Sequence, residues 1–545
     1  MEALKVVVLL VSYFYVLIVA ETESSNEVIV QLSNGAVRGE KLTGEAGHEF
    51  YSFKGIPFAE PPLGKLRFKP PVPKKPWHDV LDATKDGPPC SQMNFFTLLY
   101  EGDEDCLYLN VYTPKLPGKD GSKMDVVYHI HGGGFLAMAG NSVFYGPKRF
   151  PLDDIVLVSV TYRVAVLGFL SNNDSVLSGN FGLLDQLEGL RWVRNNIHQF
   201  GGDPNRVTIL GESAGGASVI YQMLSPLSEG LFHQAVSMSG SALCNWALQK
   251  DPVHWSHQLA KDVNCPSDST EELVKCLRQK SAQELTEKGT KSIRGLPYLS
   301  VGPTVDNYFL DDLPLNVITE RKHHKNVPLV IGTTKDEGNC WYLGRKNSPN
   351  DFTDEEIDDI LKECIDALPT VDKQLKLVKD KYFSNLTSFK ESEIQKRLGL
   401  AITEGMFHKC IYRTAKKMAE SGTKTYLYRY DYEAPFSAAQ LINVSGTYGV
   451  CHGDDLFIFF DGLFHVDSFD EPTERLKQKF QRLITNFVKH GNPVPKVEQN
   501  DECEWPPTEA DKLTVYHINQ NCSLEVYDNS KDPLYNFWVK EINEA

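Results

Sequence analysis

A β-branched run, Arg206-Val207-Thr208-Ile209-Leu210, breaks off into Gly211-Glu212-Ser213-Ala214-Gly215, and the apolar segment 217–224 follows at once. The run reads as a buried strand and the segment after it as a helix, so the pentapeptide has to make a tight strand-to-helix turn. Such a turn needs small flanking residues, which Gly211 and Gly215 supply. It would hold the Ser213 hydroxyl clear of the backbone. It would also set the following amides at a helix N-terminus, where they can donate to a developing oxyanion. Ser213 is therefore a candidate nucleophile. A G-x-S-x-G pentapeptide also arises by chance in a chain with 40 glycines, so the surrounding sequence has to decide.

Other strand candidates recur along the chain, at 125–130, 155–162, 234–238, 327–331, 425–430 and 513–518, with helical segments between them. That alternation predicts a central, mostly parallel sheet with helices on both faces. In the segment 185–197 the apolar residues Leu187, Leu190, Val193 and Ile197 fall on one helical face that would pack on the sheet. The stretch 340–425, rich in charge and helix formers, reads as inserted helices. No internal repeat, low-complexity tract or Gly/Ser linker divides the chain, so it reads as one domain.

Three consecutive glycines in His131-Gly132-Gly133-Gly134-Phe135 follow the 125–130 strand, and their conformational cost makes sense where backbone must approach a ligand closely. The amides of Gly133 and Gly134 could join that of Ala214 as oxyanion donors. The serine also needs a base, and for this sheet architecture the expected chain order is nucleophile, acid, histidine. His452 sits in the Gly-bounded turn Gly449-Val450-Cys451-His452-Gly453, and His465 remains an alternative. His408 reads as helical, His517 falls in a strand candidate and His490 lies beside a loop. For the acid, Asp336 and Glu337 both follow the 327–331 strand in Lys335-Asp336-Glu337-Gly338, and both fit chemically.

The 545 residues carry a net charge of −16, which argues against a nucleic-acid partner, because that affinity comes from neutralising phosphates with Lys and Arg. At 41% hydrophobic and 23% charged, the composition is that of a folded globular protein. Residues 1–20 read as a signal peptide, with an apolar run from Val6 to Ala20 too short for a membrane span, leaving 21–545 as the mature domain. The C-terminus carries neither an ER-retention tetrapeptide nor a GPI-type tail, so secretion without a membrane anchor is expected. In that compartment the eleven cysteines are disulfide candidates, with local pairs Cys90 with Cys106, Cys265 with Cys276, and Cys503 with Cys522. Sequons at Asn173, Asn385, Asn443 and Asn521 are glycosylation candidates.

The block 200–215 (FGGDPNRVTILGESAG) and the block 104–112 (EDCLYLNVY) resemble the two signatures of the type-B carboxylesterase and cholinesterase family, and the likeness extends over nearly all of the mature chain. The resemblance implies an α/β-hydrolase fold in a single domain, and an esterase needing neither metal nor diffusible cofactor. It implies a triad of Ser213, Glu337 and His452, choosing Glu337 over Asp336, with Gly133, Gly134 and Ala214 as oxyanion donors. It further implies that Arg67 with Glu104 and Arg163 with Asp185 are structural ion pairs, that Trp246 lines the acyl pocket, and that Cys244 matches a cysteine that is free in the family, while the sequence leaves the pairing of Cys244, Cys340, Cys364, Cys410 and Cys451 open. In cholinesterases the first disulfide loop carries a tryptophan that stacks on quaternary ammonium. Here residues 91–105 hold Phe95, Phe96 and Tyr100 but no Trp, which argues against choline esters. The chain looks most like secreted insect-type carboxylesterases, near venom esterases, β-esterases and juvenile hormone esterases. The hormone esterases typically carry Gln where this chain has Glu212. Odorant or pheromone degradation, lipase activity and a non-catalytic neuroligin-like binding role are the alternatives.

Overall fold

The computed structural model describes residues 27–118, 121–290, 301–340, 353–365, 371–383, 391–442, 449–462, 466, 468–496, 503–521, 523–528, 534 and 536–542. The strands that organise it are β1 Glu27–Gln31, β2 Ala36–Thr43, β3 Glu49–Pro57, β4 Tyr108–Thr113, β5 Met124–Ile130, β6 Ile155–Val160, β7 Gly202–Glu212, β8 Gln234–Met238, β9 Leu329–Thr334, β10 Thr425–Tyr430, β11 Lys512–Ile518 and β12 Ser523–Asp528. They form one sheet in the order β1-β2-β3-β4-β6-β5-β7-β8-β9-β10-β11-β12. From β6 to β11 every pairing is parallel, while both ends of the sheet are antiparallel. The β-branched runs occupy the middle because both faces there are covered. Every residue of β5, β6 and β9 is buried.

Helix α1, Phe181–Asn196, packs against the sheet as its period predicts, with Leu187, Leu190 and Val193 fully buried. Helix α2, Ala214–Leu224, follows β7 directly and is buried throughout. The inserted region holds helices Asp354–Glu363, Val371–Phe383, α3 Glu391–Ile402 and α4 Lys409–Ser421, the last two joined by a π-helical turn, Thr403–His408. Among the described residues no helix is long and apolar enough to cross a membrane.

Register aligns the carboxyl ends of the central strands. Ile130 of β5 lies beside Gly211 of β7, Glu212 beside Met238 of β8, and Met238 beside Gly332 of β9. The loops that leave these ends therefore converge, at the edge where sites of open α/β sheets gather.

Disulfides join Cys90 to Cys106 and Cys265 to Cys276, as expected. Cys503 is disulfide-bonded, while Cys522 lies outside the described residues. The expectation of a free Cys244 is corrected. Helix α4 brings Cys410 to a Cα separation of 4.8 Å from Cys244, within disulfide reach, and the two are bonded across 166 residues of sequence. Cys364 and Cys451 are buried. Asn173 and Asn521 are exposed, whereas Asn385, Asn443, residues 1–20 of the expected signal peptide and His465 lie outside the described residues. Both expected ion pairs form, Arg67 forking onto Glu104 at 2.6 and 2.5 Å and Arg163 onto Asp185 at 2.7 Å twice.

Candidate active site

Ser213 sits between β7 and α2 with φ 58° and ψ −123°, a conformation rare outside glycine. Its amide donates to the Met238 carbonyl at 2.8 Å and its carbonyl accepts from Ala217, so the strained turn is held at both ends. The flanking glycines earn their place sterically. A Cβ on Gly215 would run into the Ile130 carbonyl, and one on Gly211 into the Gly215 backbone. The two glycine motifs meet here. A Cβ on Gly132 would lie 2.8 Å from both the carbonyl and a carboxylate oxygen of Glu212, and 3.3 Å from Ser213 Cβ. Gly133 and Gly134 have φ of 99° and 65°, which only glycine adopts freely, and Ala214 is the first residue of α2.

The glycine loop is itself held by aromatic side chains. Tyr145 Oη accepts the Gly132 N–H at 3.3 Å, and Tyr162 donates to the His131 carbonyl at 2.9 Å. The His131 ring stacks on Tyr162 at 4.1 Å. Burial drives His131 down to about 4 and His129 to about 3, so both are neutral imidazoles of the core.

Glu337, which follows β9, and His452, which follows β10, come together across the inserted region. Nδ1 of His452 lies 2.5 Å from Glu337 Oε2, and Nε2 lies 3.1 Å from Glu212 Oε1, the residue before Ser213. Glu337 is fully buried and accepts further hydrogen bonds through Oε1, from Ser239 Oγ at 2.5 Å, Thr333 Oγ1 at 2.5 Å and the Thr334 amide at 2.8 Å. Burial alone would raise this carboxyl, but the His452 charge and these donors outweigh it and hold it below the usual range. Burial likewise opposes charge on His452, yet Glu212 and Glu337 overcome it and lift the imidazole to about 9. Glu212 is pushed up to about 8, mainly by burial, with Asp455 and Glu337 adding repulsion that the His452 charge offsets only in part. Glu212 and His452 are thus coupled across their 3.1 Å contact, the charge of each favouring the charge of the other.

The competing acid is placed differently. Asp336 Oδ2 accepts the Val450 amide at 3.0 Å, so it anchors the histidine loop while Glu337 meets the ring. His408 contacts the Thr334 carbonyl, and His517 contacts Asp431. Sequence reasoning missed Ser239, Thr333, Asp455 and Phe407. Asp455, buried and raised to about 7 chiefly by burial, accepts from Tyr428, and Phe407 packs its ring 4.7 Å from that of His452. Its place as the first hydroxyl of a Ser-Gly-Ser stretch directly after a strand end is the one signal that could have drawn attention to Ser239. Trp246 is partly buried and lies 5.9 Å, ring to ring, from Phe407.

Chemically, this is a serine held in a strained turn, a glycine loop against it, and an imidazole whose Nδ1 is fixed by a buried carboxylate. Such a set can carry out acyl transfer. A family model described as "Carboxylesterase family" matches residues 26–538. Among curated relatives, Esterase E4 of Myzus persicae is 34% identical over 544 residues, covering 95% of this chain and 96% of that protein. Juvenile hormone esterase of Tribolium castaneum is 34% identical, covering 94% and 93%. Venom carboxylesterase-6 of Apis mellifera is 31% identical, covering 93% of each.

Proposed function

Because the chain belongs to the carboxylesterase family of α/β-hydrolases and is a carboxylic ester hydrolase, we propose that it works through an acyl-enzyme on Ser213, with His452 as base and Glu337 as its orienting acid. Neutral His452 takes the Ser213 proton as Oγ attacks the ester carbonyl. The amides of Gly133, Gly134 and Ala214 receive the oxyanion, and Glu337 steadies the imidazolium. His452 returns the proton to the departing alcohol. Water, activated by the same imidazole, then releases the acid. The observation that carries this reading is the His452 ring, bound to Glu337 at 2.5 Å on one nitrogen and set on the other against the residue that precedes Ser213.

The same reading makes the protein a secreted, disulfide-bonded enzyme, glycosylated at least at exposed Asn173, that acts on dissolved small esters. Support comes from the three described disulfides, which suit an oxidising compartment, and from the leader-like residues 1–20. Juvenile hormone as substrate is the second reading, favoured by the Tribolium castaneum relative and disfavoured by Glu212. Turnover of a p-nitrophenyl ester by Ser213→Ala decides the mechanism. A loss of about 10^4-fold or more in kcat is expected, and near-normal turnover would rule out Ser213 as the nucleophile.

A further inference from the structure

The imidazole of His452 is bounded on one side by an aromatic run that comes from two remote parts of the chain. Phe407, fully buried, lies 4.7 Å from His452 and 5.9 Å from Trp246. The Trp246 indole N–H donates to the Met406 carbonyl at 3.0 Å, so the tryptophan is tied to the same turn that carries Phe407. That turn is the π-helical Thr403–His408, a wide form that is rare in proteins, appears mostly as single turns within α-helices and is frequent at functional sites. Trp246 lies in the short turn Asn245–Ala247, 160 residues before Met406 in the chain. Cys244 immediately precedes this turn, and Cys410 stands three residues after Phe407, in the first turn of α4. The disulfide between them is buried at both ends and therefore links the two segments that bear the rings.

We propose that the Cys244–Cys410 disulfide is a positioning staple that fixes the Trp246–Phe407 wall beside His452 and so limits the size of the ester group this site accepts. The inference rests on the reading of His452 as the base. A single indole hydrogen bond would let the wall breathe. A covalent link three residues from Phe407 keeps the wide turn from relaxing outward, and a fixed apolar wall discriminates bulk that a yielding one would admit. The ligand class is a carboxylic ester with an apolar substituent, on its acyl or its alcohol side, lying along the rings.

The test is the Cys244→Ala/Cys410→Ala variant of the full chain, assayed on two series: p-nitrophenyl esters from acetate to octanoate, and alkyl acetates from methyl to octyl. In one series the kcat/KM of the longest ester relative to the shortest should rise about fivefold or more, while the other ratio holds. Ratios unchanged in both series, or all esters weakened alike, would overturn the proposal. Trp246→Ala, which keeps the disulfide, should shift the same series in the same direction, and no shift would likewise overturn it. Where the first variant does not fold, Cys244→Val/Cys410→Ala refills the core. If that too fails to fold, the bond is a folding requirement and the proposal falls. Ser213→Ala in parallel keeps the two readings apart, since surviving turnover there contradicts the nucleophile whatever the ratios do.

Discussion

The two sides of the site are made of different materials. On one side, Gly132 to Gly134 and Ser213 work through main chain at the ends of β5 and β7, where positive φ and the space a Cβ would take decide the geometry. On the other, Glu212 at the end of β7 and Glu337, His452 and Asp455 from the turns after β9 and β10 act through side chains, and buried charge decides. The first side should respond to added carbon and ignore pH, whereas the second should respond to charge and pH and tolerate small changes of shape. On the proposed mechanism, the centre is rigid where the oxyanion would form and titratable where the proton would move.

The strongest blow falls on the charged side. Glu337→Gln keeps the shape but removes the charge that orients Nδ1, and kcat should fall by about 10^4-fold, by analogy with acid-to-amide changes in other triads. A small effect in steady-state kinetics would mean that Glu212 or Asp455 can replace it. On the main-chain side, Gly133→Ala should cost about 10^2- to 10^3-fold in kcat with KM little changed, because φ of 99° is strained for alanine and its Cβ would strike the Ala137 carbonyl. Its pH–rate profile should keep the wild-type shape, and a shifted profile would break the contrast. Removal of the Cys244–Cys410 bond should lower stability by about 2–5 kcal/mol, measured by chemical denaturation.

A smaller and sharper effect concerns Glu212→Gln. On the proposed mechanism His452 must be neutral to accept the Ser213 proton, and against burial it is held up at about 9 by Glu212 together with Glu337. With one carboxylate gone the imidazole loses its proton at lower pH, so the acid limb of kcat/KM should move down by about one pH unit. An unmoved limb would show that Glu337 alone sets the base. The smallest effect expected is that of Asn173→Gln on turnover, which should be within about twofold, since the residue is exposed.

The main-chain side was legible in the sequence because its physics is local. A strand, a glycine-bounded turn and a helix follow one another between 202 and 224, and the expected strands at 234–238 and 425–430 are the observed β8 and β10. The charged side was legible only in part. Asp336 and Glu337 are adjacent carboxylates on one polar loop, and one step along the turn sends the first to the Val450 amide and the second to His452. The help from Ser239 depends on its own positive φ, which its residue type does not announce. Distance in sequence explains the disulfides in the same way. Separations of 16 and 11 residues invite pairing by eye, whereas Cys244 and Cys410, 166 apart, meet only once the inserted helices have folded back.

The most direct test of the central claim is to react the full chain with diethyl p-nitrophenyl phosphate until activity is lost, then map the phosphoryl adduct by peptide mass spectrometry. One adduct per chain on Ser213, formed far more slowly in His452→Ala, is the predicted result. An adduct on another residue, or full inactivation with Ser213 unmodified, would contradict it.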